Sequence, residues 1–290
     1  MSDLKIVVLG KGGQLASEFE SIMNENLMWV FLSHRDLDIT ESNAVLNYFI
    51  NNPCNIIINC VSYNNVDLAE IEDEKAFKVN YHGIINLLNA CIKINAKLIH
   101  YSTDYVFDGQ NKFPYDELQL PNPLGVYAKS KLEGELEITN SLVKSIIIRT
   151  SWLYSNHGNN FVKKMLQLAL NEDEIFVVDD QIGSPTNAND LALFTISLLS
   201  ESSYNWTSGE IFHFSNEGCC SRYEFARKIF KISNQKIKLF PTKTDNLDTH
   251  AKRPSYSVLD TQKAKNRFNF SIPNWEDSLK KMISKELILK

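Results

Sequence analysis

A chain of 290 residues that is 43% hydrophobic and 22% charged is far too apolar to be disordered, and its length suits one large or two modest domains. Lys and Arg total 30 against 35 Asp and Glu, a net charge of −5, so nothing favours wholesale binding to nucleic acid or to an anionic membrane. Its apolar runs are only a few residues long, well short of the roughly 20 that a membrane helix needs.

In chain order, Lys5–Leu9 is a short apolar run ending at Gly10, and Gln14–Asn24 carries Leu15, Phe19, Ile22 and Met23 at helical spacing. A second apolar run, Trp29–Leu32, is followed by Thr40, placed to cap a helix bearing Val45, Leu46, Phe49 and Ile50. Asn55–Cys60 is apolar throughout its centre, as suits a strand covered on both faces. One long helix is expected over Asp73–Asn95, then a strand at Lys97–Ser102, a helix at Tyr127–Ile138 and a strand at Ser145–Thr150. The second half is less regular. Helices are expected at Asn160–Asn171, Asp190–Ser200, Arg222–Lys231 and Trp275–Ser284, and strands at Ile175–Val178 and Glu210–Phe214.

Alternation of this kind predicts an α/β fold, a doubly wound parallel (Rossmann) sheet with a smaller mixed α/β lobe. Residues 1–150 would form the dinucleotide-binding domain, with segments around 183–215 returning to it. Residues 151–290 would mainly form a substrate-binding lobe. Ligands of such sheets bind beyond the carboxyl ends of the strands.

The first such end reads VVLGKGGQLA, placing Gly10, Gly13 and Ala16 as G-x-x-G-x-x-A. Gly10 allows a tight turn, Gly13 lets a pyrophosphate approach the backbone, and a small third residue lets helix and strand pack closely. After the second strand stand Ser33, His34 and Arg35. These could hold the 2′-phosphate of NADPH, although a solvated charged loop reads equally well there; the expected cofactor is NADPH, with NADH left open.

Tyr127 and Lys131 lie four residues apart on one helical face. A nearby ammonium favours tyrosinate, so this tyrosine could exchange a proton with an alcohol or ketone. Thr103, just beyond the fourth strand, can donate to the substrate oxygen. A Y-x-x-x-K pair alone is commonly a surface pair. Following a glycine turn and a Ser/Thr-bearing strand end, it is far more specific.

The start MSDLKIVVLGKGG has no small-residue cleavage site after its four-residue apolar run, unlike a secretory signal. The five cysteines (Cys54, Cys60, Cys91, Cys219, Cys220) lack CxxC spacing, and the expectation is a reduced, cytoplasmic protein. No HExxH-like pattern is present, so no catalytic metal is expected, and Mg2+ has no support from the sequence.

The ordered set of motifs resembles the extended short-chain dehydrogenase/reductase superfamily and, within it, the dTDP-4-dehydrorhamnose reductase family. The stretches that carry the closer resemblance are STDYVFDG, RTSWLY, DQIGSPT and RPSYSVLD, with VDLAE, VNYHGIINL and NPLGVYAKSKLEGE beside them. The resemblance implies NAD(P)H-dependent reduction of a nucleotide-linked 4-keto-6-deoxy sugar, a small-molecule partner and a homodimer. It implies that Gly13, Gln14 and Leu15 line the dinucleotide phosphates, that Asp38 and Ile39 lie at the adenine, and that Ser62, Tyr63 and Asn64 lie beside the cofactor. Thr103 and Asp104 would face the sugar, Tyr127 and Lys131 would do the proton chemistry, Trp152 would pack on the substrate, and Arg253 would hold the nucleotide-sugar.

The chain departs from the family at Cys60, Val61 and Ser62, where alanines are usual, at Asn64 and Asn65, and at Ala16 in place of glycine. These changes bear on which sugar is accepted, for example a substrate leading to 6-deoxy-talose. A related branch, the regulatory subunit of methionine adenosyltransferase, keeps the fold while serving a partner enzyme. Intact Thr103, Tyr127 and Lys131 argue against that role. Glu18 is expected to be an exposed helix glutamate, and His100 a buried, hydrogen-bonded histidine.

Overall fold

The computed structural model describes residues 4–23, 27–201, 203–246 and 249–288. The first half runs β1 (Lys5–Leu9), α1 (Gln14–Ile22), β2 (Met28–Leu32), α2 (Ser42–Asn51), β3 (Ile56–Asn59), α3 (Val66–Ala69), α4 (Asp73–Phe77), α5 (Gly83–Ile94), β4 (Lys97–Thr103), α6 (Val126–Asn140) and β5 (Ser145–Thr150). The second half runs β6 (Leu153–Tyr154), α7 (Phe161–Asn171), β7 (Glu174–Val178), β8 (Ile182–Gly183), β9 (Thr186–Asn187), α8 (Ala188–Ser200), β10 (Glu210–His213), β11 (Cys220–Ser221), α9 (Arg222–Ile232), β12 (Lys238–Thr242), α10 (Gln262–Phe268) and α11 (Trp275–Ile288).

Six strands form one sheet in the order β10-β5-β4-β3-β1-β2, and every pairing within it is parallel. Side chains alternate along the strands. Ile6, Val8, Ile56, Ile58, Ile146 and Ile148 face a core shared with α1, α8 and α10, while Val7, Leu9, Ile57, Leu98 and Ile147 face α2, α5 and α6. Burial on both faces explains why the strand sequences are apolar without a break. The late strand β10 joins the sheet beside β5, with Glu210 opposite Ile146, and α8 packs against α1. A separate core of Tyr154, Val162, Ile175, Val177, Phe225, Ile229, Trp275 and Leu279 holds the remaining second-half elements together.

Chain order reverses between β1 and β3, because β1 sends the chain outward to β2 and the chain returns on the opposite side. This is the topological switch point where doubly wound sheets bind ligands.

Several expectations need correction. The long helix expected over Asp73–Asn95 is broken: a π turn at Lys78–His82 separates α4 from α5, and Asn95 ends α5 in the left-handed region. Thr40 is not the cap of α2. Glu41 is, and Thr40 instead donates its amide and hydroxyl to Asp38. Glu18 is buried and accepts from Asn189 Nδ2, so it stitches α1 to α8. The expected helix over Gln14–Asn24 ends at Ile22, and Asn24 lies outside the described residues.

One ion pair is fully buried beneath the sheet's carboxyl end. Arg149 Nε reaches both oxygens of Glu135 (3.0 and 3.1 Å) and Nη2 reaches Oε2 at 2.6 Å, joining β5 to α6. Removing one partner of such a pair strands a buried charge. Glu135→Ala is expected to lower unfolding stability by about 3–5 kcal/mol in urea titration. A paired Glu135→Met, Arg149→Leu variant should recover most of that loss.

Candidate active site

The turn after β1 is built on glycine. Gly10 has φ +93°, and a Cβ there would come within 3.1 Å of the Cys60 carbonyl carbon, so the β1 and β3 loops touch only because no side chain intervenes. Gly13 caps α1 without any side-chain hydrogen bond, which leaves the first amides of α1 free for an anion.

These residues open one wall of a cleft of about 640 Å³. Gly10, Gly13, Gln14 and Leu15 line it together with Ser62, Asn64, Thr103, Asp104, Tyr127, Lys131 and Trp152, so most of the expected site residues meet there. A smaller hollow of about 340 Å³ adjoins it through His34 and Val61 and is lined by Asp38, Ile39 and Tyr63. Four buried polar atoms on cleft-lining residues have no partner: Gln14 Oε1, Ser102 Oγ, Asp104 Oδ2 and Thr150 Oγ1. Buried polar groups are normally satisfied, so their gathering here marks a place for a polar ligand. The uncapped helix end, the glycine cradle and the adjoining hollow fit a dinucleotide. Among the described residues, no group of three or more His, Cys, Asp or Glu side chains is gathered to hold a metal ion.

The helix bearing Tyr127 and Lys131 is held at two points. Glu70 Oε1 accepts the Val126 amide at 2.8 Å, putting a carboxylate at the positive end of α6. A Cβ on Gly125 would lie 2.5 Å from that oxygen. The π turn brings Asn80 inward, where its Oδ1 accepts from the Tyr63 amide (2.9 Å) and Ser62 Oγ (3.1 Å), and its Nδ2 donates to Tyr63 O and to Ser130 Oγ (both 3.0 Å). Gly134 permits this approach, since a Cβ there would strike the Asn80 carbonyl oxygen at 2.4 Å. One buried amide thus ties the β3 loop to α6, and π turns recur at functional sites for such reasons.

Burial raises the Tyr127 phenol above its ordinary range, with Asp104 and Tyr105 adding to the effect, while Thr103 and Ser62 favour its phenolate. Lys131 Nζ donates to the Tyr101 carbonyl at 2.6 Å and lies 3.0 Å from His100 Nε2; His100 is fully buried, as expected. Burial lowers Lys131 to about 8. Asp104 accepts from Thr103 Oγ1 at 3.1 Å, and burial raises its carboxyl to about 6.

Trp152 follows β5 with φ +45°, a strained conformation for a bulky residue. Gly183 makes room for its ring, because a Cβ there would come within 2.6 Å of the indole. The Arg222 guanidinium lies 3.6 Å above the indole centroid and lines the same cleft. Arg222, Asn80 and Glu70 are not among the residues that the sequence motifs single out. The Ser221–Glu224 capping box that starts α9 is a legible signal that would have marked Arg222 as a helix-entry residue.

Five expected residues sit apart from the cleft lining: Asp38, Ile39 and Tyr63 line the adjoining hollow, and Arg35 and Arg253 line neither. Arg35 is exposed on the loop after β2. The Tyr63 side chain turns to Glu72, donating at 2.8 Å. Arg253 donates to Asp67 Oδ2 at 2.6 Å and to the Ala251 carbonyl, so its guanidinium is engaged by the α3 carboxylate.

The chain is similar over nearly its whole length to proteins of one kind. A dTDP-4-dehydrorhamnose reductase of Aggregatibacter actinomycetemcomitans is 38% identical over 285 residues, covering 95% of this chain and 97% of that one. The crystal structure of a dTDP-4-dehydrorhamnose reductase from Clostridium acetobutylicum superposes with a TM-score of 0.92 at 37% identity, covering 99% and 100% of the two chains. The same enzyme from Bacillus anthracis, solved in complex with NADP, also gives 0.92 at 37% identity, covering 98% and 99%. The RmlD substrate binding domain model matches residues 4–288, and the chain belongs to that family.

Proposed function

We propose that this protein reduces the C4 ketone of dTDP-4-dehydro-L-rhamnose to give dTDP-L-rhamnose, a precursor of cell-surface polysaccharide. The observation that carries the reading is the meeting of Thr103, Tyr127 and Lys131 in one cleft whose far wall is the glycine turn and open end of α1. Residues 1–150, with the return at 183–215, serve the cofactor, and residues 151–290 mainly serve the sugar.

A reduced nicotinamide dinucleotide whose diphosphate the glycine turn would hold would supply the hydride. Thr103 Oγ1, turning its proton from Asp104, donates to the keto oxygen and polarises it, and Tyr127 Oη delivers the proton that completes the alcohol. Lys131 balances the resulting phenolate. Gln14 and Leu15 flank the diphosphate of the cofactor, Asp38 and Ile39 border the hollow for its adenine, and Ser62 and Asn64 border its nicotinamide half. Asp104 and Trp152 hold the sugar. Arg253, held by Asp67 outside the cleft lining, is our candidate for the nucleotide-sugar's diphosphate, since guanidinium exchanges carboxylate for phosphate oxygens readily. The Bacillus anthracis neighbour, solved with NADP, supports NADPH as the donor. His34 and Arg35, beyond the carboxyl end of β2, are the residues available to a 2′-phosphate.

Purified protein should oxidise NADPH only when the keto-sugar is added, and NMR of the product should show the L-rhamno configuration. A talo product would change the sugar assignment and leave the reaction type intact. Tyr127→Phe should lower kcat by about 10²–10⁴-fold while fluorescence titration shows NADPH binding unchanged. Near-normal turnover would contradict the role of Tyr127. Replacing His34 and Arg35 together by Ala should weaken NADPH about tenfold or more, the scale of a lost charged hydrogen bond, and leave NADH binding as it was.

A further inference from the structure

Behind the cleft, three side chains from three elements form a hydrogen-bonded file that ends on Lys131. Asn59 closes β3, His100 lies within β4 and Lys131 in the second turn of α6, and all three are buried. Asn59 Nδ2 is 3.1 Å from His100 Nδ1, and His100 Nε2 is 3.0 Å from Lys131 Nζ.

The fixed donors determine which way each bond runs. The Val61 amide can only donate, and it does so to Asn59 Oδ1 at 3.0 Å, so Asn59 must present its Nδ2 to the imidazole. That NH2 can also only donate, so His100 Nδ1 accepts. Turning the ring over would set carbons where both nitrogens now meet partners. A neutral imidazole has one proton, and here it sits on Nε2, aimed at Lys131 Nζ. An ammonium has three donors and no acceptor and would meet this N–H head on. The free amine has a lone pair for Nε2–H and still has a hydrogen for the Tyr101 carbonyl.

We infer that His100 is a positioning residue whose Nε2–H bonds Lys131 only as the uncharged amine, so that charging Lys131 and bonding it to His100 exclude one another, the bonded amine prevailing in alkaline solution and the released ammonium at neutral pH. When Lys131 takes a proton from solvent, its bond to Nε2 breaks and its ammonium is freed towards the cleft, where a phenolate on Tyr127 would draw it. This rests on the proposed reading of Tyr127 and Lys131 as the proton-handling pair.

The surroundings agree. Burial, then Lys131, hold His100 well below its ordinary value, which keeps the ring neutral. From its own helix Lys131 faces Glu135, which favours the charged form but is already paired with Arg149. Tyr127 on the same helix, Tyr101 and Asp104 at the end of β4, and Cys60 after β3 line the cleft with it. Burial pushes the thiol of Cys60 upward, so it adds no charge.

The test is a pH titration of the Lys131 Cε resonance in ¹³C-lysine-labelled, ligand-free protein, assigned with Lys131→Arg. Asn59→Asp can accept from both the Val61 amide and a proton on Nδ1; it therefore moves the imidazole proton to Nδ1 and leaves Nε2 free to accept from an ammonium. His100→Leu removes the opposing N–H. Wild-type Lys131 should titrate near 8, and both variants should titrate higher by about one unit or more. A cation with a raised pKa stays charged to higher pH, so the alkaline limb of kcat/KM should move upward in both. A wild-type midpoint at the ordinary value of roughly 10.4 would overturn the inference, even if neither variant folds. So would an unchanged midpoint in the two folded variants. Absence of keto-sugar turnover with a wild-type midpoint near 8 would remove the proposed reaction and leave the role of His100 standing.

Discussion

An amine sealed under the floor of a cleft is the constraint around which this structure is arranged. Lys131 can reach the cleft only from the buried face of α6, and α6 lies where it does because each contact around it excludes an alternative. Glu70 closes the helix's first turn, the Asn80 carbonyl fills the space that a larger residue at 134 would need, and Glu135, one turn beyond Lys131, is locked to Arg149 on β5. The sheet then aligns the ends of β1, β3, β4 and β5 along a single crevice, so that a helix fixed to β4 and β5 faces a glycine turn fixed to β1.

Two segments far apart in sequence are tied together outside the cleft lining. The α3 carboxylate of Asp67 holds Arg253, joining VDLAE to RPSYS. On the cleft wall, Trp152 takes a strained backbone conformation between Gly183 and Arg222. Strain of this kind persists only where neighbours over-determine it. Here they come from β8 and α9, two elements of the second half. The polar atoms left without partners between the cleft walls are open to a polar ligand.

Much of this was legible in the order of residues. Parallel strands buried on both faces must be apolar in unbroken runs, so β1, β3 and β5 announced themselves, and the glycine spacing after β1 has few meanings between a strand and a helix. The π turn at Lys78–His82 was not legible, because apolar spacing continues smoothly from α4 to α5 and the extra residue shows only in where Asn80 points. Thr40 looked like a cap because its hydroxyl suits one, yet Asp38 claims that hydroxyl first. Glu18 looked exposed because a lone helix carboxylate usually is, and its partner Asn189 lies 171 residues away. Arg253 offers a guanidinium, but no local pattern reveals that Asp67 already holds it. The His100 ring could be placed in a strand, while its tautomer followed only once the Val61 amide was seen to orient Asn59.

The central claim is that the Tyr127 hydroxyl meets the keto oxygen of the sugar within this cleft. A crystal structure with NADP and the nucleotide-sugar bound together tests it most directly. The account predicts sugar O4 within about 3.2 Å of Tyr127 Oη, with Thr103 on the same oxygen. A sugar bound elsewhere, with the phenol turned to bulk water, would contradict it.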